Sequence, residues 1–154
     1  MQSQTEYKAK PFAKIKEDKF VIETDTVVFK NEIKELLFSD TDVEVILDKI
    51  KVDRNFIVGE KKSEYYFVII YDTKHHLKVV KWLNRVNDSL YFTEKVGGRD
   101  LFEQTYQICI GKSNCEPNVF ILEGKKIWGC GDSPVCLIEV TKDSCKSYKT
   151  VATE

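Results

Sequence analysis

The 154-residue chain has little of what marks most special-purpose architectures. Its longest apolar run, Tyr65 to Tyr71, is far shorter than the ~20 residues a membrane-spanning helix needs. With three prolines and seven glycines there is no low-complexity segment and no interdomain linker. Neither sign of charge is in excess. The 24 Lys and Arg side chains meet 25 Asp and Glu, so the basic footprint of a nucleic-acid binder is missing. Histidine occurs only at His75 and His76, which confines imidazole chemistry to one place. GxSxG, HExxH and CxxC patterns are absent. Gly97-Gly98-Arg99 lacks the strand, the helix and the Lys-Ser/Thr of a phosphate loop and reads as a hinge. These absences point away from an enzyme and imply no cofactor. The polar N-terminus is no signal peptide, although a lipid anchor stays open if a signal has been removed ahead of it.

What is present suits one folded domain over residues 1–154, with 1–10 as a frayed terminus. Hydrophobic residues make up 42% of the chain, and nine Phe, seven Tyr and two Trp supply core material. The fold class predicted is α+β: a mostly antiparallel β-sheet, one or two short helices within 31–51, and a disulfide-stapled C-terminal region. Short strands are expected at 20–22 and 27–29. Asn31 is placed to cap a helix over 32–38, where Ile33, Leu36 and Leu37 share a face. Thr41 and Glu44 fit a capping box, and Val43, Ile46, Leu47 and Ile50 repeat at helical spacing. Val43, Val45 and Leu47 also alternate as a strand would; the helix is preferred. Strands follow at 55–58, 65–71, 77–86 and 90–93, forming a meander with a polar turn at Asp72–His76. Further strands are expected at 102–110, 119–122, 125–128 and 135–140, with a polar tail from Lys142.

All five cysteines, Cys109, Cys115, Cys130, Cys136 and Cys145, lie within the last third. Three readings compete. Structural disulfides stand first, with an oxidising compartment and one cysteine left over. The turn-like gaps 109–115 and 130–136 suit bridge formation, but the pairing stays open. A structural zinc site is second, although a five-residue gap exceeds the usual thiolate spacing. A reactive thiol is third. Asp72, His75 and His76 form a weak metal-ligand set, because neighbouring side chains on extended backbone diverge. Trp82, Trp128 and Tyr91 are binding-surface candidates, and for the two tryptophans a core role weighs more.

From Leu90 onward the chain resembles small, exported, cysteine-rich bacterial proteins, many of them lipoproteins. The features are Leu90-Tyr-Phe92, Gly97-Gly98, Cys109-Ile-Gly-Lys-Ser-Asn-Cys115, Ile127-Trp-Gly-Cys130 and Val135-Cys136. The resemblance implies export, to the periplasm, outer envelope or medium, and disulfides; it brings no activity. The function expected is therefore non-enzymatic binding of another protein, as an inhibitor or immunity-type factor of the bacterial envelope. A small-ligand or carbohydrate-binding module is the alternative, which a cavity would favour. A zinc-stapled intracellular domain is the other.

Overall fold

A strand that is apolar at every position must be covered on both faces, and residues 65–71 set that requirement at the centre of the fold. The computed structural model describes residues 10–39, 44–93, 102–112, 115–131 and 145–151. The elements run β1 (Ala13–Lys16), β2 (Lys19–Ile22), α1 (Thr26–Phe38), β3 (Lys49–Ile57), β4 (Glu60–Asp72) and β5 (Leu77–Val86). They continue through β6 (Ser89–Tyr91), a single 3-10 turn at Phe102–Gln104, β7 (Thr105–Ile110), β8 (Pro117–Leu122), β9 (Lys125–Cys130) and β10 (Lys146–Val151). The α+β architecture, a mostly antiparallel sheet with one helix and a disulfide-linked C-terminal region, is as the sequence predicts.

Strand β5 is the branch point. On one side it pairs with β4, which pairs in turn with β3. On the other side its first half pairs with β7, which pairs in turn with β10, and its end pairs with β6, which leads on through β1 to β2. The second branch curls until β2 packs near β3. All these pairings are antiparallel. Strands β8 and β9 form a separate hairpin. Its turn is Glu123-Gly124, with φ of 52° and 77°, the left-handed pair that a tight hairpin turn requires.

The two faces carry different cores. Tyr66, Val68 and Ile70 of β4, with Leu77, Val79 and Leu83 of β5, face α1 and join Phe12, Phe29, Ile33, Leu90 and Phe92. Tyr65, Phe67 and Ile69, with Val80 and Trp82, face the hairpin and join Val119 and Trp128. Complete burial of a side chain such as Val79, Leu83 or Leu90 is worth ~1.5–3 kcal/mol.

Several local predictions are corrected. The helix begins at Thr26, five residues before the expected cap Asn31. Asp25 is the N-cap, and its Oδ1 accepts from the Val27 and Val28 amides at 3.0 and 3.2 Å. Val27–Phe29, expected as strand, is therefore helical. Phe29 packs 4.9 Å from Phe12 and 5.7 Å from Phe92, and this packing overrides the β-propensity of the two valines. Leu36, placed on the buried face, is 49% exposed; the buried stripe is Phe29 and Ile33, extended by Leu37 and Phe38.

The second helix, expected from the spacing of Val43, Ile46, Leu47 and Ile50, is not formed over the described residues 44–50. Val45 and Leu47 are buried while Ile46 is exposed, the alternation of extended chain. Residues 44–48 run extended into β3, with the Asp48 amide donating to Tyr71 O at 2.9 Å. The polar tail also contains a strand, β10, because six of its residues pair in register with β7. The strand expected at 135–140 and the hinge at 97–99 lie outside the described residues.

Candidate functional site

A helix with its side chains is ~10 Å across, and strands lie ~4.8 Å apart. One helix therefore covers about two strands. Here α1 leaves part of its face of the sheet uncovered, and an open cleft of about 530 Å³ lies beside its C-terminal end. Leu37 and Phe38 form one wall and Val45 another. The floor comes from Leu77, Ile108 and Ile110 with Tyr148 at the side. Register explains the floor: Leu77 lies opposite Ile110, and Ile108 opposite Tyr148, so all four project to one face.

His75 supplies the polar group at the cleft. It is held by Asp72, a carboxylate with no exposed surface. Asp72 Oδ2 is 2.7 Å from His75 Nδ1 and accepts from the Ile46 amide at 3.0 Å; Oδ1 accepts from the His75 amide at 3.1 Å. Burial is the largest single influence on Asp72 and would raise its pKa. The side-chain and backbone hydrogen bonds from His75 and Ile46 together outweigh it and hold the carboxyl below 3.8. With Nδ1 donating to the carboxylate, Nε2 is the ring atom left for a ligand.

The turn is clamped a second time. Asp48 accepts from the Thr73 amide and hydroxyl, both at 2.8 Å, and its carboxyl is also held below the ordinary value, chiefly by the Thr73 amide. His76 takes φ of 54° and its carbonyl accepts from the Gly111 amide at 2.9 Å. The Asp72–His76 turn is thus a fixed support for the imidazole.

The weak metal set separates accordingly. Asp72 and His75 bond to each other, and the three side chains do not converge as ligands. The surface candidates also move. Trp128 is 1% and Trp82 9% exposed; both belong to the hairpin-side core rather than to a binding surface. The Tyr65 ring stacks on Trp82 at 5.4 Å and meets Trp128 edge-on at 5.8 Å. The Trp82 indole donates to Asn84 Oδ1 at 3.0 Å, and Lys126 Nζ lies 4.6 Å from its ring centroid. Tyr91 is half-buried on β6.

The cysteines pair across the hairpin: Cys109 with Cys130 and Cys115 with Cys145. Cys109 lies on the hairpin side of β7 and bonds to Cys130 of β9 rather than to Cys115. The remaining cysteine, Cys136, lies outside the described residues. Sequence reasoning missed the cleft altogether. Its aliphatic residues read as ordinary core, and Tyr148 sits in the segment taken as a polar tail.

No protein-family model, curated protein or solved structure matches the chain.

Proposed function

We propose that the protein is a non-catalytic binder of a small, mostly apolar ligand carrying one hydrogen-bonding head group. The observation that carries this reading is the cleft: about 530 Å³, aliphatic on floor and walls, with the Asp72-supported imidazole beside it. Small-molecule sites have this size and this ratio of apolar lining to fixed polar groups. The apolar body displaces water from the half-buried Leu37, Phe38 and Ile110, while Nε2 of His75 engages the head group. The buried aromatics Trp82 and Trp128 are unavailable for stacking on sugars, so the carbohydrate version is set aside. Two disulfides fit an oxidising environment, and export is part of the proposal.

The test is a titration of long-chain acids, alcohols and amines into isotope-labelled protein, followed by backbone and methyl NMR. Shifts concentrated at Leu37, Val45, His75, Leu77, Ile108 and Ile110, and abolished by the cleft-filling Ile110→Trp change, are expected. Saturable shifts elsewhere, or none with any of the three classes, would refute it.

A second reading, an envelope protein that binds another protein as an inhibitor or immunity-type factor, has its own support. Phe56, Val58, Ile121 and Leu122 are each 40–48% exposed. They lie where β3 meets β8 through the Val58 amide and Val119 O. Capture of a specific envelope partner by wild type, but not by Val58→Asp or Ile121→Asp, would support it.

A further inference from the structure

The sulfur atoms of Cys115, Cys130 and Cys145 lie within 4.8 Å of one another, and Cys109 is bonded to Cys130. The two bridges are therefore neighbours, and four sulfurs share one corner of the fold. We propose that in the reduced protein this corner is a zinc site, with the thiolates of Cys109, Cys115, Cys130 and Cys145 as ligands. This proposal does not depend on the cleft.

The spacing suits the ion. Tetrahedral zinc holds thiolates at ~2.3 Å, which places sulfurs a little under 4 Å apart. Opening a disulfide separates its two sulfurs toward that distance. The half-buried Cys130 and Cys145 give access from solvent, whereas Cys109 and Cys115 are buried.

The backbone, rather than the S–S bonds alone, holds the corner together. Cys109 lies within the β7 ladders to β5 and β10. Cys145 directly precedes Lys146, which pairs with Ile110. Cys130 pairs with Pro117, and the Gly131 amide donates to Glu116 O at 2.8 Å, next to Cys115. None of these backbone hydrogen bonds involves a sulfur atom. The Gln107 amide nitrogen lies 3.3 Å from Cys130 Sγ, a donor suited to a metal-bound thiolate.

The chemistry balances with a dithiol reductant. Each bridge takes two electrons and two protons, giving two thiols, and one dithiol is oxidised to its disulfide per bridge. Zinc then replaces the four thiol protons, which leave to solvent. The same four sulfurs staple the fold covalently in an oxidising compartment and through zinc in a reducing one.

The experiment uses the full chain with Cys136→Ser, reduced and kept anaerobic, and titrated with cobalt(II) as a spectroscopic probe and then with zinc. The expected result is one ion per chain, with tetrahedral d–d and thiolate-to-cobalt charge-transfer bands that zinc abolishes. Cys109→Ser, Cys115→Ser, Cys130→Ser and Cys145→Ser each weaken the charge-transfer bands, and the oxidised protein shows none. Circular dichroism follows folding in parallel. If the reduced chain loses structure, zinc is expected to restore it. Absence of stoichiometric binding, bands unchanged in the serine variants, or binding that leaves an unfolded chain unfolded would each overturn the proposal.

Discussion

The two faces of the sheet solve the same problem differently. Among the described residues, seventeen buried hydrophobic residues form one cluster on the helix side, and the buried carboxylate of Asp72 has three N–H donors. On the hairpin side the described residues form a cluster of eight, and Cys109–Cys130 ties the hairpin to the sheet. Three buried polar atoms there, Tyr65 Oη, Gln107 Oε1 and Trp128 Nε1, have no hydrogen-bond partner among the described residues. A large core and satisfied polar groups leave the helix side able to tolerate an open cleft. Among the described residues the hairpin core is the smaller; it is reinforced by covalent bonds and aromatic packing, and it tolerates unpaired polar atoms. Cross-linking adds stability without adding apolar area, since it acts largely on the unfolded chain.

The strongest way to break this contrast is Trp128→Ala, which removes the ring that joins Tyr65, Phe67 and Phe102. A loss of ~3–5 kcal/mol in urea unfolding is expected. Next in size is removal of Cys109–Cys130, which closes a 21-residue separation. The double serine variant is expected to lose ~3 kcal/mol. Hydrogen exchange would accelerate more over 117–130 than over 26–38, and equal acceleration would contradict the division of labour between the faces.

Asp72→Ala comes third. It strands the Ile46 and His75 amides, at ~1–3 kcal/mol by the same unfolding assay. Acid gives the matching test. The folded carboxyl lies below its ordinary 3.8, so its contribution is present above that value and is lost as pH falls through the lower, folded pKa. Asp72→Asn should remove this part of the acid limb. The smallest effect is expected at Tyr65. Burial pushes its phenol up to about 12; Val119 and Asn55 lie close enough to offset part of the shift, yet neither completes a hydrogen bond. Because the folded pKa exceeds the unfolded value of 10.0, stability is full below pH 10 and falls as pH rises toward 12. Tyr65→Phe should abolish that alkaline loss and raise neutral-pH stability by up to ~1 kcal/mol; a destabilised variant would show the hydroxyl to be satisfied.

The elements legible in the sequence were those whose signal is local. The run 65–71, the Glu123-Gly124 turn and the Asp72–His76 turn carry their chemistry in consecutive residues. The misread elements depend on distant partners. Val27 and Val28 become helical because Phe29 packs on Phe12 and Phe92. Residues 44–48 stay extended because the Ile46 amide is held by Asp72, 26 positions away. Of the candidate site, Asp72 and His75 were visible, with His76, as polar turn residues and weak metal-ligand candidates. Their cleft was not, since an uncovered aliphatic residue and a covered one read alike.

The sequence by itself determined a strand-rich α+β domain with a two-faced central strand, because side-chain alternation and turn chemistry are properties of neighbouring residues. It also determined that the C-terminal third would be linked through cysteine. Only the tertiary structure decided which cysteines meet, that both tryptophans turn inward, and that one helix is too narrow for the face it packs on. Those outcomes depend on how β7, β9 and β10 are brought together across the sheet, and loop closure over tens of residues leaves no periodic trace in the chain.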